Sequence, residues 1–223
     1  ILSGLVGSEM CIRDRCIFIH IPKTGGTSLE TALDLFHDWR VENRAVLFGK
    51  IQSPELLEKG WLSRYLQHLS IREVETLVAA EVLADYLSFS WVRNPWGRMV
   101  SIYCNQDPDM LQKALDEGIP LKGLSFPDFL DASQDFQHVH LLDQASFILN
   151  PQGAVAVDFI GRFESFAADF VRLCECLQMP LSLNLPHRNA SAHKPYREYY
   201  SDKTRAQVAR RYCRDMDLFS YTF

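Results

Sequence analysis

Three apolar runs alternate with stretches of helical periodicity along this chain. The runs at residues 16–21, 86–92 and 154–160 are rich in β-branched and aromatic side chains, as buried strands are. An apolar stripe with a spacing of three and four residues follows the third run, over residues 165–178. Because helices recur between apolar strands, the pattern predicts an α/β fold with a central parallel sheet, and ligands at the carboxyl ends of the strands.

A turn and a helix start are predicted directly after the first run. Pro22 ends the run, and Gly25-Gly26 permit backbone geometry that other residues resist. Thr27-Ser28-Leu29-Glu30 fits the S/T-x-x-E capping box that opens a helix. Amide groups at such a helix start carry partial positive charge, and Lys23 adds a full charge, so a phosphate or sulfate is the expected occupant.

Two further helix starts are predicted downstream. Ser70-Ile71-Arg72-Glu73 forms a second capping box, which places His68 just before a helix. Asn94 is a predicted N-cap with Pro95 at the first helical position. Arg93 therefore follows the second strand at its carboxyl end.

Composition narrows the class of protein. The 223 residues, 47% hydrophobic and 23% charged, can bury one substantial core, so a single domain over residues 16–223 is expected. No apolar run approaches the ~18 residues that would suggest a membrane span. The net charge of -5 argues against a general nucleic-acid-binding protein. The cysteines lack metal-like C-x-x-C spacing, and Cys174 lies on the apolar stripe, so structural thiols are expected.

The leader, residues 1–15, is set apart from this reasoning. Its segment 5–15, LVGSEMCIRDR, resembles the translated end of a transposon-type sequencing adapter, which predicts a non-native leader. Its two basic and two acidic residues cancel, so the net charge is unchanged without it. A replaced natural N-terminus would leave signal peptides and membrane anchors unreadable from this sequence.

A P-loop NTPase is the first interpretation to test, since a strand, a glycine turn and a helix build its phosphate site. The G-x-x-x-x-G-K-[ST] pattern fails, because Lys23 precedes the glycines and no other glycine stands in the six residues before Gly25. Val155-Ala156-Val157-Asp158 mimics a strand that ends in a magnesium-binding aspartate, although such tetrads are common in buried strands. A magnesium-dependent nucleotide phosphotransferase remains one alternative.

Two blocks of sequence resemble the sulfotransferases, which use 3′-phosphoadenosine 5′-phosphosulfate (PAPS) as sulfate donor. Pro22-Lys23-Thr24-Gly25-Gly26-Thr27-Ser28 resembles their 5′-phosphosulfate loop. The segment 91–101, WVRNPWGRMVS, resembles their 3′-phosphate-binding strand and helix, and Arg93 and Ser101 keep the family's spacing of eight residues. A guanidinium grips a phosphate through charge-assisted bonds, and a helix hydroxyl adds another donor.

The resemblance extends to the branch with the heparan sulfate 2-O enzymes and many bacterial relatives, and it covers most of residues 16–223. In that branch a histidine in a short H-x-[ST] segment before a helix is the catalytic base, and His68 matches it. The segment 159–164 and the tail from Asn189 through Tyr200 also look typical of the family. The tail is implied to cover the donor nucleotide.

The resemblance implies a three-layer, P-loop-NTPase-like sulfotransferase fold and a metal-free in-line transfer to a hydroxyl acceptor, expected to be a carbohydrate. Lys23 and His68 are the implied catalytic residues. The implied donor-binding residues are Lys23, Thr24, Gly25, Gly26, Thr27, Ser28, Arg93 and Ser101. Neither a metal ion nor a nucleic acid is an expected partner. A nucleotide- or glycan-binding protein without transfer activity is the second alternative.

Each implied role has a structural alternative. Lys23 is otherwise a surface lysine of a turn. His68 otherwise only precedes a helix, where the dipole disfavours its positive form and so also keeps it usable as a base. His138 and His140, near Gln144, either line the acceptor site or follow the alternation of a strand or loop.

Overall fold

The structure is a computed structural model that describes residues 16–35, 38–179 and 194–223. The described residues fall into two compact units. Of the described residues, 16–35, 38–92 and 146–179 belong to the first unit, and 93–145 and 194–223 belong to the second. The predicted leader and Asn189 lie outside the described residues, and the single domain over 16–223 stays a prediction.

A parallel sheet forms the centre of the first unit. Among the described residues it has the order β1-β2-β3, with β1 at Cys16–Ile19, β2 at Leu87–Val92 and β3 at Phe159–Arg162. In the central strand, Phe89 pairs with Phe18 on one side and with Phe159 on the other. The predicted α/β class, a parallel sheet flanked by helices, is confirmed.

Most helices of the described residues are short. In the second unit, three α-helices have nine or more residues. The α-helices are α1 Gly26–Ala32, α2 Pro54–Leu57, α3 Ile71–Val74, α4 Ala80–Asp85, α5 Pro95–Cys104, α6 Pro108–Asp116, α7 Phe126–Ala132, α8 Ala145–Ile148, α9 Phe166–Cys176, α10 Asp202–Arg211 and α11 Cys213–Phe219. The 3-10 helices are Leu66–His68, Val139–Leu141, Phe163–Ser165 and Tyr196–Tyr199. No helix in the described ranges is long and apolar enough to cross a membrane.

One face of the sheet packs against α1 and α9. The buried side chains of this core are Cys16, Leu29, Ala32, Leu33, Phe89, Trp91, Phe170, Leu173, Cys174 and Leu177. Alternate residues such as Ile17 and Ser90 point to the other face and are buried as well. Because both faces are covered, β1 and β2 appear in the sequence as nearly continuous apolar runs. The predicted core position of Cys174 is confirmed.

The third strand begins later than the pattern predicts. The apolar run 154–160 predicts a strand, but β3 starts at Phe159, and Val155 instead forms an isolated antiparallel bridge with Leu149. Asp158 thus lies at the amino end of β3. Its Oδ2 accepts bonds from the main-chain nitrogen and the hydroxyl of Ser88, at 2.8 and 2.7 Å. The interpretation of Asp158 as a magnesium-binding aspartate at a strand's carboxyl end is therefore wrong.

The second unit is helical and has its own core. Its buried apolar residues are Trp96, Met99, Val100, Ile102, Met110, Ala114, Leu121, Phe126, Phe129, Leu130, Phe136, Leu141, Val208 and Tyr212. Helix α5 starts as predicted: the Oδ1 atom of Asn94 accepts bonds from the main-chain nitrogens of Trp96 and Gly97, at 3.0 and 3.4 Å, and Pro95 is the first helical residue. This cap sets the direction of α5 directly after Arg93.

Candidate functional site

The turn after β1 adopts a left-handed backbone at two positions. Lys23 has φ 70° and Gly25 has φ 95°, in the region that favours glycine. Thr24, between them, is fully buried, and its hydroxyl donates to the main-chain oxygen of Ile21 at 2.8 Å. That bond uses the hydroxyl proton of Thr24, so an anion in this loop would meet the main chain of Thr24 rather than a free hydroxyl donor.

The two glycines of the loop have no room for a side chain. A Cβ atom on Gly25 would lie 2.8 Å from Cε2 of Phe166. A Cβ atom on Gly26 would overlap the imidazole of His20. Both positions therefore require glycine on steric grounds, and Gly25 requires it for its backbone as well.

The capping box predicted over residues 27–30 is wrong. Helix α1 begins at Gly26 with Gly25 as N-cap, and no side chain caps it. Glu30 instead points to β1, where its Oε1 lies 2.6 Å from Nδ1 of His20. Both side chains are at least nine-tenths buried. Since a buried carboxylate needs a donor, this tertiary partner outcompetes the local cap.

The pairing of His20 with Glu30 was not predicted from the sequence. The carboxylate accepts the bond, so Nδ1 of His20 carries a proton and Nε2 faces Gly26. The pair joins the end of β1 to the first turns of α1. The one signal in the sequence is a histidine at the end of an otherwise apolar strand, in CIFIHI.

His68 lies against His20. Its Nδ1 is 3.1 Å from the main-chain oxygen of His20, and the two rings meet edge to face with centroids 4.6 Å apart. A carbonyl oxygen only accepts, so in the neutral ring Nδ1 carries the proton and Nε2 holds the lone pair. The structure thus brings the predicted base next to the glycine loop, with Nε2 as the atom that can take a proton.

The chain on both sides of His68 is anchored. The capping box at Ser70 is confirmed: Oε2 of Glu73 lies 2.6 Å from the main-chain nitrogen of Ser70, and the Ser70 hydroxyl accepts from that of Glu73. On the other side, Oε1 of Gln67 accepts from the main-chain nitrogen of Gly49 at 3.0 Å. These bonds hold the 3-10 turn that carries His68.

In the second unit, Gly97 and Ser101 are four residues apart and so share one side of α5, while Arg93 directly precedes the N-cap Asn94. The Nε atom of Arg93 lies 3.5 Å from the place a Gly97 Cβ would take, and the ring of Tyr196 lies 3.6 Å from it. The guanidinium of Arg93 therefore lies beside Gly97 of α5, one turn before Ser101.

The side chain of Arg98 is buried inside the second unit. Its side chain is 1% exposed, and it donates to the main-chain oxygens of His140 and Leu142, at 3.0 and 2.8 Å. Burial lowers the pKa of this guanidinium from its ordinary value. Arg98 thus holds the chain before Gln144, and Asn94 acts as the cap of α5.

His138, His140 and Gln144 are all buried. The main-chain nitrogen of His140 donates to Nδ1 of His138, at 3.3 Å, so that ring is neutral with its proton on Nε2. Burial, aided by the charge of Lys113, lowers the pKa of His138 to about 4. Gln144 bonds to the main chain of Arg93 instead of lining an open site.

The predicted site residues thus fall into two groups. The loop at 23–28 and His68 belong to the first unit, and Arg93 and Ser101 belong to the second. Within the described parts of the chain, no group of three or more His, Cys, Asp or Glu residues could hold a metal ion.

Known proteins give a family for this chain. The model of the Sulfotransferase family matches residues 9–222. A protein of Archaeoglobus fulgidus, described only as an uncharacterized protein, is 26% identical over 125 residues, or 56% of this chain and 94% of that protein. No solved structure matches the chain significantly. Since the family match spans nearly the whole sequence and includes the glycine loop, His68, Arg93 and Ser101, the chain belongs to the sulfotransferase family.

Proposed function

We propose that this protein transfers the sulfuryl group of PAPS to a hydroxyl group of a carbohydrate. Membership of the sulfotransferase family supports sulfuryl transfer in general. The observation that carries the choice of donor is the guanidinium of Arg93 resting over Gly97, one turn before Ser101. PAPS differs from ATP in having a 3′-phosphate, and a guanidinium and a hydroxyl are the kinds of donor that such a phosphate needs.

The glycine loop fits the phosphosulfate end of the donor. No side chain caps the start of α1, so an anion bound there would meet the main-chain amides of the helix. Lys23 stands at the turn that leads into these amides. We assign to Lys23 and the amides of Gly25, Gly26 and Thr27 the stabilisation of charge on the departing phosphate oxygen.

The reaction is written as a direct in-line displacement. The acceptor oxygen forms a bond to sulfur while the bond between sulfur and the bridging phosphate oxygen breaks. The acceptor proton passes to Nε2 of His68, and the electron pair of the broken bond leaves with adenosine 3′,5′-bisphosphate. Base catalysis of this kind contributes about 10²- to 10⁴-fold. Arg93 and Ser101 hold the 3′-phosphate and so fix the nucleotide for attack.

Two other functions are less well supported. A magnesium-dependent phosphotransferase loses its candidate metal ligand, because Asp158 bonds to Ser88 at the amino end of β3. A binding protein without transfer activity has no need of a base, whereas His68 is held in the tautomer that a base requires. The carbohydrate acceptor rests on the resemblance of the His68 segment to carbohydrate sulfotransferases.

A thermal-unfolding experiment separates these functions. A ligand at about 100 times its dissociation constant stabilises the native state by ~2.7 kcal/mol. We expect adenosine 3′,5′-bisphosphate to stabilise the protein in the presence of a metal chelator. Greater stabilisation by ATP with magnesium would contradict the proposed donor. Sulfate transfer from PAPS to a panel of glycans then distinguishes the enzyme from a binding protein.

A further inference from the structure

The main chain of Arg93 is held by a side chain 51 residues further along. The N–H of Arg93 donates to Oε1 of Gln144 at 2.8 Å, and Nε2 of Gln144 donates to the main-chain oxygen of Arg93, also at 2.8 Å. A neighbouring strand makes the same two bonds to a residue in an antiparallel sheet. Both peptide groups that flank the Cα atom of Arg93 are fixed by this one amide.

Asp215 in turn holds Gln144. Its Oδ2 accepts from Nε2 and from the main-chain nitrogen of Gln144, at 3.1 and 3.0 Å, and its Oδ1 accepts from the main-chain nitrogen of Ala145 at 2.8 Å. Nε2 of Gln144 thus faces two acceptors while Oε1 faces a donor, so the orientation of the amide is determined. Gln144 and Asp215 are both fully buried.

Burial of the Asp215 carboxylate has a free-energy cost that its hydrogen-bonding partners offset. Burial raises the pKa of Asp215, and the N–H donors of Gln144 and Ala145 and the charge of Arg98 oppose that rise. A buried carboxylate that binds three N–H groups is a rigid support, because losing any of them leaves polar atoms unpaired. The rigid support ends at the main chain of Arg93.

We propose that Gln144, supported by Asp215, is a positioning residue that directs the guanidinium of Arg93 towards the 3′-phosphate of the donor. This inference rests on the proposed function of Arg93. Side-chain rotamers depend on the backbone dihedrals, so fixing both peptide groups limits where a long arginine side chain can point. A preorganised guanidinium binds a phosphate more tightly than a mobile one.

The readout is the preference for a 3′-phosphate. We would measure by calorimetry the dissociation constants of adenosine 5′-monophosphate and adenosine 3′,5′-bisphosphate. The ratio of the first constant to the second is the preference for the 3′-phosphate. Gln144→Met keeps the length of the side chain without its amide, and it is expected to reduce the preference about tenfold. The matched control is Gln207→Met, which removes the amide that bonds to Asp131 in the same unit and should leave the ratio unchanged.

A purely structural role gives a different result. In that case Gln144→Met would weaken the binding of both nucleotides equally, or would lower the melting temperature and leave the ratio unchanged. Either outcome overturns the inference. In an Arg93→Ala background, Gln144→Met should change the ratio no further. If Gln144→Met does not fold, Asp215→Asn weakens the same support with little change in shape and is expected to lower the ratio in the same direction. A wild-type protein without any preference for the 3′-phosphate would contradict the proposed function itself.

Discussion

Nδ1 of His68 lies 3.1 Å from the main-chain oxygen of His20, at the point where β1 passes into the glycine loop. The contact fixes two things at once. It places the ring of His68 beside the loop, and it puts the lone pair of the neutral ring on Nε2. Orientation of a base by a carbonyl partner on its second nitrogen is a common way to prepare an imidazole for proton transfer.

His68→Ala should therefore lower turnover about 10²- to 10⁴-fold with the acceptor saturating. Because His68 is assigned no contact with the nucleotide, the affinity for adenosine 3′,5′-bisphosphate should stay within about twofold of the wild type. Steady-state kinetics and calorimetry give the two numbers. Full turnover in the variant would show that the base is another group.

Lys23→Ala should also lower turnover, about 10²- to 10³-fold, since a donor to the leaving oxygen acts mainly in the transition state. Lys59→Ala is the control, because Lys59 is exposed beside Trp61 and is assigned no role. The kcat of both variants is compared with that of the wild type. Equal kcat values for the two variants would remove Lys23 from the mechanism.

Gly26→Ala tests the packing of the loop on His20. The added methyl group would overlap the imidazole, so the ring must move away from Glu30, and we expect a loss of about 1–3 kcal/mol in unfolding free energy. Urea denaturation measures it. In a His20→Ala background the same substitution should cost less, because no ring stands in its way. Equal costs in the two backgrounds would show that the ring does not limit this position.

Acid should destabilise the second unit through His138. Its pKa is about 4 in the native state and near 6.5 when unfolded, so the unfolded chain binds more protons between these values. The contribution of neutral His138 to the free energy of unfolding is complete above pH 6.5 and declines as the pH falls. By pH 4 the free energy of unfolding is lower by about 3 kcal/mol. His138→Gln should show a shallower decline in urea denaturation over this range. An identical decline would assign the acid sensitivity to other groups.

Local signals explain what the sequence could predict. Asn94 followed by Pro95 is a complete helix start within two residues, and Ser70 with Glu73 is another, so both were found correctly. The sheet followed from apolar runs that are buried on both faces. The third strand was placed too early because residues 154–157 are apolar in sequence, although Ala154 and Val155 are exposed and the segment does not belong to β3.

The contacts that the sequence did not predict join residues that are far apart along the chain. Thr27 to Glu30 has the letters of a capping box, but Glu30 bonds to a histidine ten residues earlier. Gln144 meets Arg93 across 51 residues and Asp215 across 71, and no local pattern marks either contact. The residues proposed to bind the donor were therefore visible in the sequence, whereas the residues that hold them in place became visible only in the fold.

The central claim is sulfuryl transfer from PAPS, and the most direct measurement is the fate of a labelled sulfuryl group. The wild-type protein and the Lys23→Ala variant are incubated with PAPS labelled in sulfur and a panel of glycans, in the presence of a metal chelator. We predict a labelled glycan with the wild type and at least a hundredfold less with the variant, about the loss expected for a donor to the leaving oxygen. The claim is contradicted if no glycan is labelled above the level reached by Lys23→Ala.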